Sequence, residues 1–163
     1  MSARSRPAGP GATIEVAITA LGSRGDGIAH HAGRPVFVPL SLPGERLRVR
    51  LAGRRGEGLA AEPLAWLHRV DRGPDRCPHF GRCGGCALQH LPDPAYLDWL
   101  RAQVADALAR RGLPASLVEP AQAPASRRRA RFSYVRRHGR IELGFSARAT
   151  HAVVDLTGCA VLL

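Results

Sequence analysis

Three of the four cysteines stand close together, in the run Cys77-Pro78-His79-Phe80-Gly81-Arg82-Cys83-Gly84-Gly85-Cys86. Two thiolates separated by two residues can reach one metal centre from a single tight turn, and Gly84-Gly85 lets the backbone wrap closely around it. A fourth ligand can come from far along the chain, and Cys159 is the only other cysteine. A four-thiolate site of this kind suits zinc or an iron-sulfur cluster. Structural zinc commonly uses two paired knuckles, and the second pair is missing here. His79 inside the run and His90 just after it could replace a ligand, although histidines of surface loops are more often solvated.

A second constellation is Arg127, Arg128, Arg129, Arg131, Arg136, Arg137 and Arg140, with no acidic residue between Glu119 and Glu142. Guanidinium groups pair bidentately with phosphate and stay protonated, so a local cluster of them suits a folded RNA backbone. Phe132 and Tyr134 are interleaved. Two apart on one strand, they read as core residues; if exposed, a ring there could stack on a flipped base.

Those residues need elements to hold them. From residue 13 to about residue 69, short β-type runs (13–20, 27–31, 34–38, 46–51 and 59–66) alternate with Gly- and Pro-rich turns, which predicts a small five-stranded closed barrel. Ile14, Val16 and Ile18 share one face, as do Leu47, Val49 and Leu51, with Glu15, Arg46, Arg48 and Arg50 opposite, so one face is core and the other wet and basic. Residues 70–91 form the cysteine loop. A helix follows, with Asp93 as N-cap, Pro94 in its first turn and Leu97, Leu100, Val104 and Leu108 at helical spacing until Gly112 and Pro114 stop it; the Arg101, Arg110 and Arg111 side is read as solvated.

Residues 113–126 read as a Pro/Ala linker. Runs at 131–136, 140–145 and 152–156 read as strands, the first two joined at the tight-turn pair His138-Gly139. Residues 1–12 are expected to be a disordered lead-in. The chain of 163 residues thus divides into a lead-in (1–12), a barrel (13–69) and a metal-bearing α+β region with one helix and a hairpin (70–163), mainly β in class. It ends on an apolar stub, Cys159-Ala160-Val161-Leu162-Leu163, whose lack of partners suggests that more sequence belongs after it.

The charge agrees with a polyanionic partner. Against 13 acidic residues there are 24 basic ones, all arginine, for a net charge of +11. No apolar run approaches the length of a membrane span and residues 1–10 lack a signal-peptide core, so a cytoplasmic, membrane-free protein is expected. In that reducing compartment the cysteines read as metal or cluster ligands rather than disulfide partners.

Gly25-Asp26-Gly27-Ile28-Ala29, Val36-Phe37-Val38-Pro39 and Leu42-Pro43-Gly44-Glu45 resemble a TRAM domain, an RNA-binding β-barrel with an OB-like fold. The cysteine run with Ala87-Leu88-Gln89-His90-Leu91, then Arg127-Arg128-Arg129-Ala130-Arg131, Leu143-Gly144-Phe145 and Val154-Asp155-Leu156-Thr157-Gly158-Cys159, resembles the RNA uracil-C5 methyltransferase family. That resemblance covers nearly the whole chain after residue 12. It implies a four-iron four-sulfur (4Fe-4S) cluster on Cys77, Cys83, Cys86 and Cys159 that shapes the RNA-binding region, with structured ribosomal or transfer RNA as the partner.

Enzymes of that family continue with a domain that binds S-adenosylmethionine and carries a cysteine nucleophile and a carboxylate base. No such features are recognisable in these residues, and all four cysteines are used as ligands. The chain is therefore read as the amino-terminal, RNA-binding part of such a methyltransferase, catalytically inactive alone and completed by the missing catalytic domain. The rival is a stand-alone, non-enzymatic RNA-binding module with a structural four-cysteine metal site. A zinc-ribbon-like interaction protein without RNA would require the arginine block to be compositional bias.

Overall fold

The computed structural model describes residues 10–114, 116 and 126–163. The lead-in expectation thus falls largely, and the linker expectation mostly, outside the described residues. The chain divides into two compact units, residues 1–72 and 73–163.

The first unit is a six-stranded mixed sheet of β1 (Thr13–Ala17), β2 (Ala20–Leu21), β3 (Gly27–His31), β4 (Arg34–Val38), β5 (Arg46–Arg55) and β6 (Gly58–His68). The order is β1-β5-β6-β4-β3-β2, antiparallel except where β4 and β6 run parallel. The single run expected at 13–20 divides into β1 and β2. Its break lies at Ile18 and Thr19, where the Ile18 amide donates to the Glu45 carbonyl and the Thr19 amide to the Ile28 carbonyl. The two edge strands are therefore consecutive parts of one segment, yet β1 and β2 do not pair, so the sheet is open and six-stranded rather than the closed five-stranded barrel expected. Pairing begins before residue 13, since the Gly11 amide donates to Leu51 and the Leu51 amide to Ala12.

The period-two pattern holds. Leu47, Val49 and Leu51 are buried with Val16, Ile18, Ala29, Val36, Val38, Leu59 and Ala61, while Arg46, Arg48 and Arg50 face outward. The outward face is less basic than its sequence, because Arg48 pairs with Glu15 at 3.0 Å and Arg50 with Glu62 at 2.5 Å across adjacent strands. The turn before β5 holds the main polar node. Glu45, fully buried, accepts the Leu42 amide at 3.0 Å, Trp66 Nε1 at 3.0 Å and the Arg72 guanidinium at 2.6 to 2.9 Å.

The second unit contains α1 (Asp93–Ala109) and a three-stranded antiparallel sheet of β7 (Ser133–Arg137), β8 (Arg140–Ser146) and β9 (Val153–Asp155), in the order β7-β8-β9. Two helix expectations are corrected. Asp93 is the first helical residue rather than the cap, its carboxylate drawn 2.6 Å from Arg76, and Pro92 takes the cap position without a side-chain bond. The stripe of Leu97, Leu100, Val104 and Leu108 does form on a helix, yet no residue of α1 is buried; periodicity states which residues share a face, not what covers it. His138 and Gly139 both have positive φ, 47° and 76°, as a two-residue primed turn requires.

Candidate functional site

The cysteine loop is built as successive turns and then sewn to the sheet. The Phe80 amide donates to the Cys77 carbonyl, and the Arg82 and Cys83 amides both donate to the His79 carbonyl. Cys83 bridges Ala147, the Gly84 amide donates to Ser146 at 2.9 Å and the Arg148 amide to Arg82 at 3.1 Å, so the loop lies along the end of β8. A Cβ at Gly84 would lie 2.9 Å from the Ser146 carbonyl oxygen, which is why that position needs glycine, whereas one at Gly85 would meet Cys83 Sγ and Phe145 at ordinary contact distance. The Gly85 amide donates to Cys83 Sγ at 3.4 Å.

His79 ties the loop to the exit of β9. Its Nε2 accepts the Thr157 amide at 3.1 Å and also lies 3.1 Å from Thr157 Oγ1, two residues before Cys159. That lone pair is thereby committed, and His79 is a buried positioning group rather than a solvated histidine or a replacement ligand. His90 is buried too, its ring 5.2 Å from Phe80.

Through these links Cys77, Cys83, Cys86 and Cys159 line one small pocket, walled by Phe80, Phe145, Leu156 and Val161. Burial pushes the Cys86 thiol above its ordinary pKa; a hydrogen bond from Gln89 offsets part of this, and Cys159, Cys83 and Cys77 add to the rise. Among the described residues no three Cys, His, Asp or Glu side chains are gathered so as to hold a single metal ion.

The structure sorts the seven arginines into three kinds. Arg127 lines the thiol pocket, and its amide and carbonyl pair with Val161 and Leu163. The apolar stub is thus partnered along its backbone, contrary to expectation, although the Leu163 side chain is exposed. Arg128, Arg129, Arg131 and Arg136 are exposed and make no ion pair among the described residues. Arg137 faces Glu142 at 3.8 Å and Arg140 faces Asp155 at 3.6 Å. Neither Phe132 nor Tyr134 is core: they are 40% and 75% exposed.

The TRAM domain family matches residues 7–53. An uncharacterized RNA methyltransferase of Nitratidesulfovibrio vulgaris is 39% identical over 160 residues, covering 93% of this chain and 34% of that protein. The 23S rRNA (uracil(1939)-C(5))-methyltransferase RlmD of Halomonas elongata is 39% identical over 166 residues, covering 97% of this chain and 34% of its own length. The chain thus spans about a third of the length of the curated relatives it matches. In fold, it resembles the Pyrococcus abyssi tRNA (uracil-54, C5)-methyltransferase solved with S-adenosyl-L-homocysteine, with a TM-score of 0.58 at 23% identity, over 90% of this chain and 32% of that one.

Proposed function

We propose that this chain, which is similar over more than nine-tenths of its length to part of RNA methyltransferases that include a (uracil-C5)-methyltransferase, supplies the RNA-binding, iron-sulfur-bearing part of such an S-adenosylmethionine-dependent enzyme, acting on ribosomal or transfer RNA. The observation that carries this reading is the convergence of four thiols, from two distant stretches of chain, on one pocket whose wall includes the first residue of an exposed arginine run.

The donor set is all sulfur. Cys77, Cys83, Cys86 and Cys159 would hold a four-iron four-sulfur cluster, and its contribution when bound is structural, cross-linking the loop to the segment after β9. Such thiolate ligation fits the reducing cytoplasm. Arg128, Arg129, Arg131 and Arg136 are the guanidinium groups best placed to meet phosphate, having no carboxylate partner among the described residues. With every cysteine committed as a ligand, no free thiol is left to attack uracil. Methyl transfer then falls to the portion of the relatives that these residues do not span.

The test is purification of the 163-residue chain without oxygen, followed by iron, sulfide and zinc analysis. About four irons per chain with broad violet-to-blue absorption are expected, lost in Cys159→Ser. Stoichiometric zinc without iron would overturn the cluster assignment. The same preparation should bind structured RNA with steep salt dependence yet transfer no methyl group to it; methylation by this chain alone would show that a cysteine is a nucleophile and refute the assignment of parts.

A further inference from the structure

The two faces of the β7–β8 hairpin differ in kind. The register pairs Tyr134 with Leu143 and Arg136 with Ile141, placing these four side chains on one face. Just before β7, Phe132 continues that face, its ring 5.0 Å from Phe145. Exposure is 40% at Phe132, 75% at Tyr134, 48% at Leu143 and 66% at Ile141. The opposite face carries Val135, Arg137, Arg140 and Glu142, with Asp155 of β9 beside Gly144, and its charges are paired with one another at 3.8 and 3.6 Å. All the negative charge of the hairpin lies on that second face. The first combines an exposed aromatic ring, aliphatic neighbours and a guanidinium without a carboxylate among the described residues.

We propose that the face bearing Tyr134 and Arg136 is where the RNA lays an unstacked base, Tyr134 being the stacking ring and Arg136 the adjacent phosphate contact; this rests on the RNA-binding reading above. A phenol ring offers a flat surface to any base, and a guanidinium two residues along the strand meets the flanking phosphate. The lack of a carboxylate on this face removes the repulsion that a polyanion would meet on the other. Base faces are hidden inside an A-form duplex, so the surface discriminates loops and bulges from paired RNA.

The experiment uses the whole 163-residue chain as purified, a fluorescein-labelled stem-loop RNA with a uridine-rich loop, and a blunt duplex of equal length. Removing one base–aromatic stack lowers affinity roughly 5- to 150-fold. Tyr134→Ala is expected to weaken stem-loop binding by that factor at fixed salt with an unchanged salt slope, while Tyr134→Phe binds like the wild type and duplex binding is the same in all three. A 2-aminopurine placed in the loop should be quenched on binding the wild type and not on binding Tyr134→Ala. Equal stem-loop affinity and quenching for wild type and Tyr134→Ala, with the salt slope intact, would overturn this inference and leave the RNA-binding reading standing. Absence of any salt-dependent binding by the wild type would instead sink the RNA-binding reading itself.

Discussion

Neutralising Arg128, Arg129 and Arg131 together, as the triple Gln variant, tests whether the structure has sorted the arginines correctly. Each phosphate contact releases counterions worth about 0.7 of slope in log affinity against log salt for single strands and about 0.9 for duplex. Three such contacts predict a slope shallower by about 2 to 3. The comparison is Arg137→Gln combined with Glu142→Gln, which deletes an existing pair without changing net charge. That guanidinium shares its field with a carboxylate 3.8 Å away, so the slope should stay near that of the wild type. Affinities measured by fluorescence anisotropy between about 50 and 200 mM salt cover the range in which such slopes are read. If the pair-neutral variant flattens the slope as much as the triple one, the ion pair opens on binding and the division into paired and available arginines is wrong.

Three further outcomes follow from single contacts. Glu45→Gln takes the charge from a buried carboxylate that faces Arg72, Trp66 Nε1 and the Leu42 amide, and should destabilise the TRAM unit by about 3 kcal/mol, at the low end for a broken buried pair because Arg72 keeps some exposure; urea unfolding followed by tryptophan fluorescence reads it, and a loss below about 1 kcal/mol would show that the node is not an anchor. His79→Ala removes the acceptor of the Thr157 amide, so if the four thiols hold the proposed cluster its iron should be lost to a chelator several-fold faster, with His79→Gln restoring part of the retention; an unchanged rate would show that Cys159 is positioned without it. Gly144→Ala would set its Cβ against the Val154 carbonyl oxygen and Leu156, loosening β8 from β9 at a cost of about 1 to 3 kcal/mol; a melting temperature equal to the wild type's would contradict that packing.

What could be read from the sequence, and what could not, follows from the range of each interaction. Leu47, Val49 and Leu51 betray their strand because burial on one side imposes a local period of two, and the structure buries all three. The break at Ile18 and Thr19 and the parallel β4–β6 pairing leave no such trace, since each is decided by hydrogen bonds to distant partners. Three cysteines announce themselves by spacing, whereas the link from His79 to Thr157 joins residues 78 apart and has no local pattern. Likewise, the sequence counts guanidinium groups but not the carboxylates opposite them, and only the hairpin register shows Arg137 and Arg140 engaged while Arg136 has no ion pair among the described residues.

The same register decides Tyr134. Alternation groups it with Phe132 and Arg136 but is silent on what covers them, and the structure sets the Phe132 ring against Phe145 while leaving Tyr134 far more open. Exposed aromatic and aliphatic surface is unfavourable in water and commonly marks a face that a partner covers. With a guanidinium on the same face and the carboxylates on the other, the partner proposed above, a nucleotide, supplies a flat base and a flanking negative charge in a single unit.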